Sequence, residues 1–88
     1  MPRIPFGDDA PDIHPDAWVA ENATLIGRVT LHESASVFYG AVLRADRDAI
    51  TVGARSNLQD NVTVHGDPGK PVTVGEDVTV GHGAILHG

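Results

Sequence analysis

Three histidines carry the chemical interest of this chain: His65 in "VTVHG", then His82 and His87 in "VGHGAILHG". There are no cysteines, so disulfides and thiolate metal sites are excluded and imidazole and carboxylate remain as metal ligands. Imidazole nitrogens bind zinc at about 2.0 to 2.1 Å, so rings that share one ion must hang from neighbouring backbone positions. The five-residue step from His82 to His87 does not supply that closeness in regular structure. On a helix it points the rings apart, and on a flat strand it sends them to opposite faces. Some other periodicity must position them.

That periodicity is a hexapeptide. Stepping by six from Ile13, the chain reads Ile13, Val19, Leu25, Leu31, Val37 and Leu43. After a slip of three residues it reads Val52, Leu58 and Val64, and after a slip of four, Val74, Val80 and Leu86. All twelve are Val, Ile or Leu, types that fill only 21 of the 88 positions, so the register is not an accident of composition. Four residues after each start the side chain is compact: Ala17, Ala23, Val29, Ala35, Ala41, Ser56, Val62, Val78 and Ala84. The exceptions, Arg47 and Pro68, fall where the slips begin. Neither an α-helix nor an alternating strand has this period. Short strands joined by tight corners do, with each aliphatic turned inward and the compact residue letting the chain bend. Three strands close a triangular coil of 18 residues, and coils stack by parallel ladders at about 4.8 Å. The expected fold is all-β: a parallel β-helix of about four coils in a single domain over residues 1–88. Residues 1–12 form a lead-in, 13–88 the repeats, and loops fall near 46–51 and 66–73.

Stacking turns the sequence into a map. On the third face the position after the inward aliphatic reads Ile26, Arg44, His65, His87, coil by coil. His65 and His87 are therefore stacked neighbours pointing outward, about one rung apart, and two such rings can share an ion. His82 belongs to the second face, in the column Tyr39, Asp60, His82. A corner separates it from His87, so it can serve an ion held by an adjacent chain. Threefold packing of prisms would close three identical sites, each taking His65 and His87 from one subunit and His82 from the next. The remaining histidines, His14 and His32, read as solvated surface residues.

Bulk properties narrow the partners. Eighty-eight residues make one small domain, in the range where metal or partner subunits help to stabilise a core. The net charge of −6 repels nucleic acid phosphate and anionic lipid, and the basic residues Arg3, Arg28, Arg44, Arg47, Arg55 and Lys70 form no run. No nucleic acid and no membrane partner is expected. The segment "MPRIPFGDDAPDIHPD" lacks the apolar core of a secretory signal, and no apolar stretch approaches a membrane span. A cytoplasmic protein is expected.

Three elements, "LRAD", "NLQDNVTVH" and "GHGAILHG", make the stretch from about Ile13 to Gly88 resemble the γ-class carbonic anhydrases, hexapeptide-repeat proteins whose β-helix is left-handed. The resemblance implies a metal held across a trimer interface by His65, His82 and His87, with Arg44 and Asp46 near that interface and Asn57, Gln59 and Asp60 beside the metal. It implies reversible hydration of carbon dioxide to bicarbonate. Three imidazoles leave a fourth zinc position for water, whose pKa falls to about 7, a value known from a carbonic anhydrase of a different fold. Within that scheme Gln59 holds the nucleophile or product by its amide, Arg44 and Asp46 pair between subunits, and Asp60 orients His82. Zinc is the expected ion, and Fe2+ or Co2+ suit the same ligands.

The chain also departs from the family pattern. Well-characterised members carry proton-transferring acids after the "RxD" element and in a longer loop beyond the first histidine; here stand Arg47 and the short "GDPGKP", with Asp67 as the only local acid. Fast turnover needs a proton relay, so efficient hydration is not implied. Family members continue through further coils and a C-terminal helix absent from this sequence, which corresponds to their N-terminal portion and reads as truncated. Two other functions fit the fold: a structural trimeric module that keeps the metal as a staple, and a hexapeptide-repeat acyltransferase using a histidine base.

Overall fold

The computed structural model describes residues 2–88 and consists of eleven short strands joined by turns. They are β1 (Arg3–Ile4), β2 (Asp12–Ile13), β3 (Trp18–Val19), β4 (Thr24–Leu31), β5 (Ser36–Val37), β6 (Val42–Val52), β7 (Asn57–Leu58), β8 (Thr63–His65), β9 (Val72–Val74), β10 (Thr79–Val80) and β11 (Ile85–His87). No helix long and apolar enough to cross a membrane occurs among the described residues.

All strand pairings are parallel, and they define three faces of a prism. The first face stacks β2, the end of β4, the end of β6, and β9. The second stacks β3, β5, β7 and β10. The third stacks β1, the start of β4, the start of β6, β8 and β11. The chain is thus a parallel β-helix of about four coils. β4 and β6 each pass a corner without breaking, which joins the first and third faces into one seven-stranded sheet. The lead-in adds a rung of its own, since Ile4 pairs with Ile26.

The pairing partners follow the hexapeptide register through both slips. Leu25 pairs with Leu43 and Leu43 with Val64; Leu31 pairs with Val52 and Val52 with Val74. The first slip is absorbed at one corner, where Gly27 pairs with Ala45 and Val29 with Ile50, so residues 46–49 of β6 bulge out opposite Arg28 alone. The second is absorbed in the turn Asp67 to Lys70, closed by reciprocal backbone hydrogen bonds of 3.2 and 2.8 Å.

The core follows from the same register. Leu25, Leu31, Val37, Leu43, Val52, Leu58 and Val64 are at most 1% exposed. Ile13, Val19 and Leu86, in the outer coils, are only partly buried because they have a neighbouring coil on one side. Val78, one of the compact residues of the series, lies exposed in the fourth coil. Six corner residues, each three after an inward aliphatic, take positive φ: Ser34, Gly40, Arg55, Asn61, Asp77 and Gly83. This left-handed conformation is tolerated by glycine and by short polar side chains and disfavoured for others. Arg55 is the exception by residue type. It is held by Asp77 one rung away, to which its guanidinium donates two hydrogen bonds of 2.7 and 3.1 Å. Gly27, at φ +76°, must lack a side chain, because a Cβ there would collide with the Ala45 carbonyl in the next coil.

Ser56 has a role beyond compactness. It is fully buried; its hydroxyl donates to the Gly75 carbonyl and accepts the Val78 N–H at 2.9 Å, joining the third coil to the fourth. Ser56→Ala keeps the size but strands both backbone groups, so unfolding free energy should fall by about 1 to 3 kcal/mol in denaturant titrations. The Arg55 hydrogen bond holds the Asp77 carboxyl below its usual 3.8. Its contribution is therefore present above that value and lost as pH falls through the lowered one. The stability difference between wild type and Asp77→Asn, small for so exposed a pair, should shrink toward zero below pH 3.8 in acid titrations.

Candidate metal centre

β8 and β11 are adjacent rungs of the third face, and their register pairs His65 directly with His87. The ring centroids lie 5.4 Å apart, inclined at 71°. Asp67 joins them: one ligand atom from each of His65, Asp67 and His87 lies within 4.8 Å of the others, and this is the one such group of three among the described residues. The Asp67 carboxylate stands 3.1 Å from His87 Nδ1. On the other side, His65 Nε2 meets Asp46 Oδ1 at 3.1 Å, and Arg44 donates to Asp46 Oδ2 at 3.1 Å. Burial pushes the Asp46 carboxyl up, but the His65 hydrogen bond and the Arg44 charge outweigh it, so its pKa lies below the ordinary value. The His65 and Asp46 side chains are each 17% exposed.

His82 is not part of that cluster. It sits in the corner after β10, 74% exposed, with its Nδ1 3.3 Å from Asp60 Oδ1. Beside it on the second face, Gln59 donates its amide N–H to Asn57 Oδ1 at 3.2 Å, and Asn57 donates to Thr79 Oγ1 at 3.2 Å. The eight residues singled out from the sequence therefore fall into two groups. Arg44, Asp46, His65 and His87 stand together on the third face; Asn57, Gln59, Asp60 and His82 stand on the second. Within the single chain Arg44 and Asp46 form an ion pair of 3.1 Å, because they lie two apart on one outward side of β6. His14 and His32 line a separate cavity of about 360 Å³ with Glu33 and Glu76, and His14 Nδ1 accepts the Asp16 N–H.

Asp67 as a possible ligand is what sequence reasoning missed. A signal existed: it stands two residues after His65, and "DPGK" encodes a tight turn that returns the chain to the same edge.

No family model matches the chain. It is 45% identical over 87 residues to the mitochondrial γ carbonic anhydrase 3 of Arabidopsis thaliana, a match covering 92% of this chain and 34% of that protein. It is 39% identical over 83 residues to an uncharacterised transferase of Bacillus subtilis, covering 94% and 48%. Among solved structures, a hexapeptide transferase family protein from Anaplasma phagocytophilum superposes with a TM-score of 0.92 at 42% identity, over 98% of this chain and 50% of that one. The chain thus spans between about a third and a half of the length of these relatives. The fold defines a hexapeptide-repeat protein with a left-handed parallel β-helix. More narrowly, the chain is a homologue of the γ carbonic anhydrases and matches the N-terminal portion of that group.

Proposed function

We propose that this chain forms a carbonic anhydrase-like homotrimer that hydrates carbon dioxide reversibly at zinc sites between subunits. The observation that carries the reading is the division of the imidazoles. His65 and His87 converge on the third face, while His82, the most open of the three, stands on the second with its own supporting carboxylate. A second protomer whose second face meets this third face brings His82 to the waiting pair. The donors fit the ion, since three nitrogen ligands with one open position are a catalytic zinc set. Fe2+ and Co2+ suit the same donors.

Exposed apolar surface supports the same contact. On the second face Trp18 packs edge-on against Phe38 and Tyr39 at 5.2 and 5.8 Å, and Trp18 and Tyr39 remain 45% and 49% exposed. On the third face Ile4 lies open over Ile26. Face-to-face assembly covers both patches at the level of the first coils while the histidines meet at the level of the last.

When bound, zinc supplies Lewis-acid activation of water at neutral pH. The chain's own residues do the rest. Asp46, fixed by Arg44, holds the His65 ring by its Nε2; Asp60 holds His82 by its Nδ1. Such outer contacts set ring orientation and donor strength. Gln59, steadied through Asn57, offers its amide carbonyl as an acceptor for water or bicarbonate. The names of two relatives favour an acyl- or other group-transfer function as the second reading; measurable affinity for coenzyme A with no metal bound would favour it.

In stopped-flow hydration assays of metal-loaded protein, His65→Ala and His82→Ala should each lose roughly a hundredfold or more of activity, because the ion supplies several kcal/mol. Unfolding the two variants together at equal amounts and refolding them should restore about a quarter of the sites, since a threefold interface then pairs an intact His65 with an intact His82 in that fraction. No recovery on mixing would place all ligands in one chain and remove the intersubunit site. Asp60→Asn should weaken zinc binding by about 10- to 100-fold in competition with a chelator; an unchanged affinity would separate Asp60 from the centre.

A further inference from the structure

We infer that Asp67 is a metal ligand, and that His65, Asp67 and His87 make a two-histidine, one-carboxylate site for a divalent transition-metal cation within a single protomer. The inference rests on the reading that His65 and His87 hold the ion, and goes beyond it by giving the lone chain a third donor before His82 of a neighbour arrives and displaces the carboxylate, leaving three imidazoles and an open position.

The backbone builds this set. His65 ends β8, and buried Gly66 leads into the turn Asp67-Pro68-Gly69-Lys70. Pro68 fixes the first central position, and Gly69, at φ +72°, takes the left-handed second one. Reciprocal hydrogen bonds between Asp67 and Lys70 close the turn. Gly88, directly after His87, donates to the His65 carbonyl at 3.0 Å and lies so close to Asp67 N and the Lys70 carbonyl that no side chain fits there. The strand bearing His87 is thereby seated on the turn bearing Asp67. The carboxylate is consequently held against the imidazole pair by covalent geometry and packing, not by a flexible arm.

The chemistry of the set suits a cation. Two imidazoles and a carboxylate serve catalytic zinc and also non-haem iron. Donors around one tetrahedral zinc ion at 2.0 to 2.2 Å lie about 3.3 to 3.6 Å apart, so atoms within 4.8 Å of one another must close by up to about 1.5 Å through side-chain rotation. His87 and Asp67 are 55% and 37% exposed, so an ion can enter from solvent. The carboxylate also lowers the net charge of a bound dication to +1, where imidazoles alone leave it at +2.

The test is calorimetric titration of Zn2+ into chelator-stripped wild type, His82→Ala, Asp67→Asn and the double variant, with Co2+ absorption spectra of each and far-ultraviolet circular dichroism to confirm folding. Wild type should bind tightest. His82→Ala should still bind one ion per chain, and adding Asp67→Asn should weaken that binding about tenfold or more and change the Co2+ ligand-field bands. If His82→Ala binds no ion while wild type does, the single-chain site is refuted and the intersubunit reading stands. Equal affinity and spectra of His82→Ala with and without Asp67→Asn also refute it. If wild type binds no ion, the metal reading itself falls with it.

Discussion

Parallel backbone pairing at a fixed rung spacing is the constraint on which the molecule depends. Each two- or three-residue strand is too short to be stable alone, so it exists only through the coil above or below it. The same ladder fixes what lies on what. Because Val64 pairs with Leu86 in the core, His65 must pair with His87 outside it. Packing and the candidate site are thus two sides of one register. A one-residue slip would turn the aliphatics outward and separate the imidazoles together.

This is why so much could be read before any coordinates. The inward series from Ile13 to Leu86, the stacking of His65 on His87 and the placing of His82 with Asp60 all follow from counting by six with two slips. What stayed hidden lies where counting stops. The first slip is a bulge inside an unbroken β6, a detail that depends on how residues 46–49 fold over Arg28. The Arg44–Asp46 pair within the chain and its contact with His65 depend on side-chain rotamers, which periodicity does not carry. Arg55 takes a backbone conformation its type disfavours, because Asp77 at the equivalent corner of the next coil anchors it. That is a long-range compensation with no local sign.

Each of the three histidines at the candidate centre has its own carboxylate: His65 with Asp46 at 3.1 Å, His82 with Asp60 at 3.3 Å and His87 with Asp67 at 3.1 Å. The three acids are not equivalent. Asp46 is also neutralised by Arg44 and largely buried, which suits a fixed support for His65. Asp60 lies on the second face and comes with His82. Asp67 alone belongs to a cluster with two imidazoles and has no arginine in contact among the ion pairs of the described residues. A carboxylate with no arginine or lysine in contact, beside two imidazoles, is the one of the three whose charge a metal ion would satisfy.

Division of the histidines between two faces then links stability, assembly and chemistry. A prism of about four coils has a narrow core, and its second face carries an aromatic cluster that water covers poorly. In the proposed trimer a neighbour's third face would cover that cluster and bring His82 to the place where His65 and His87 stand. An ion bridging the two faces would stabilise the assembly by mass action, and the assembly would complete the ion's ligands. The five-residue step from His82 to His87 spans one corner of the prism, so in the proposed trimer one chain would offer a ligand to each of two neighbours.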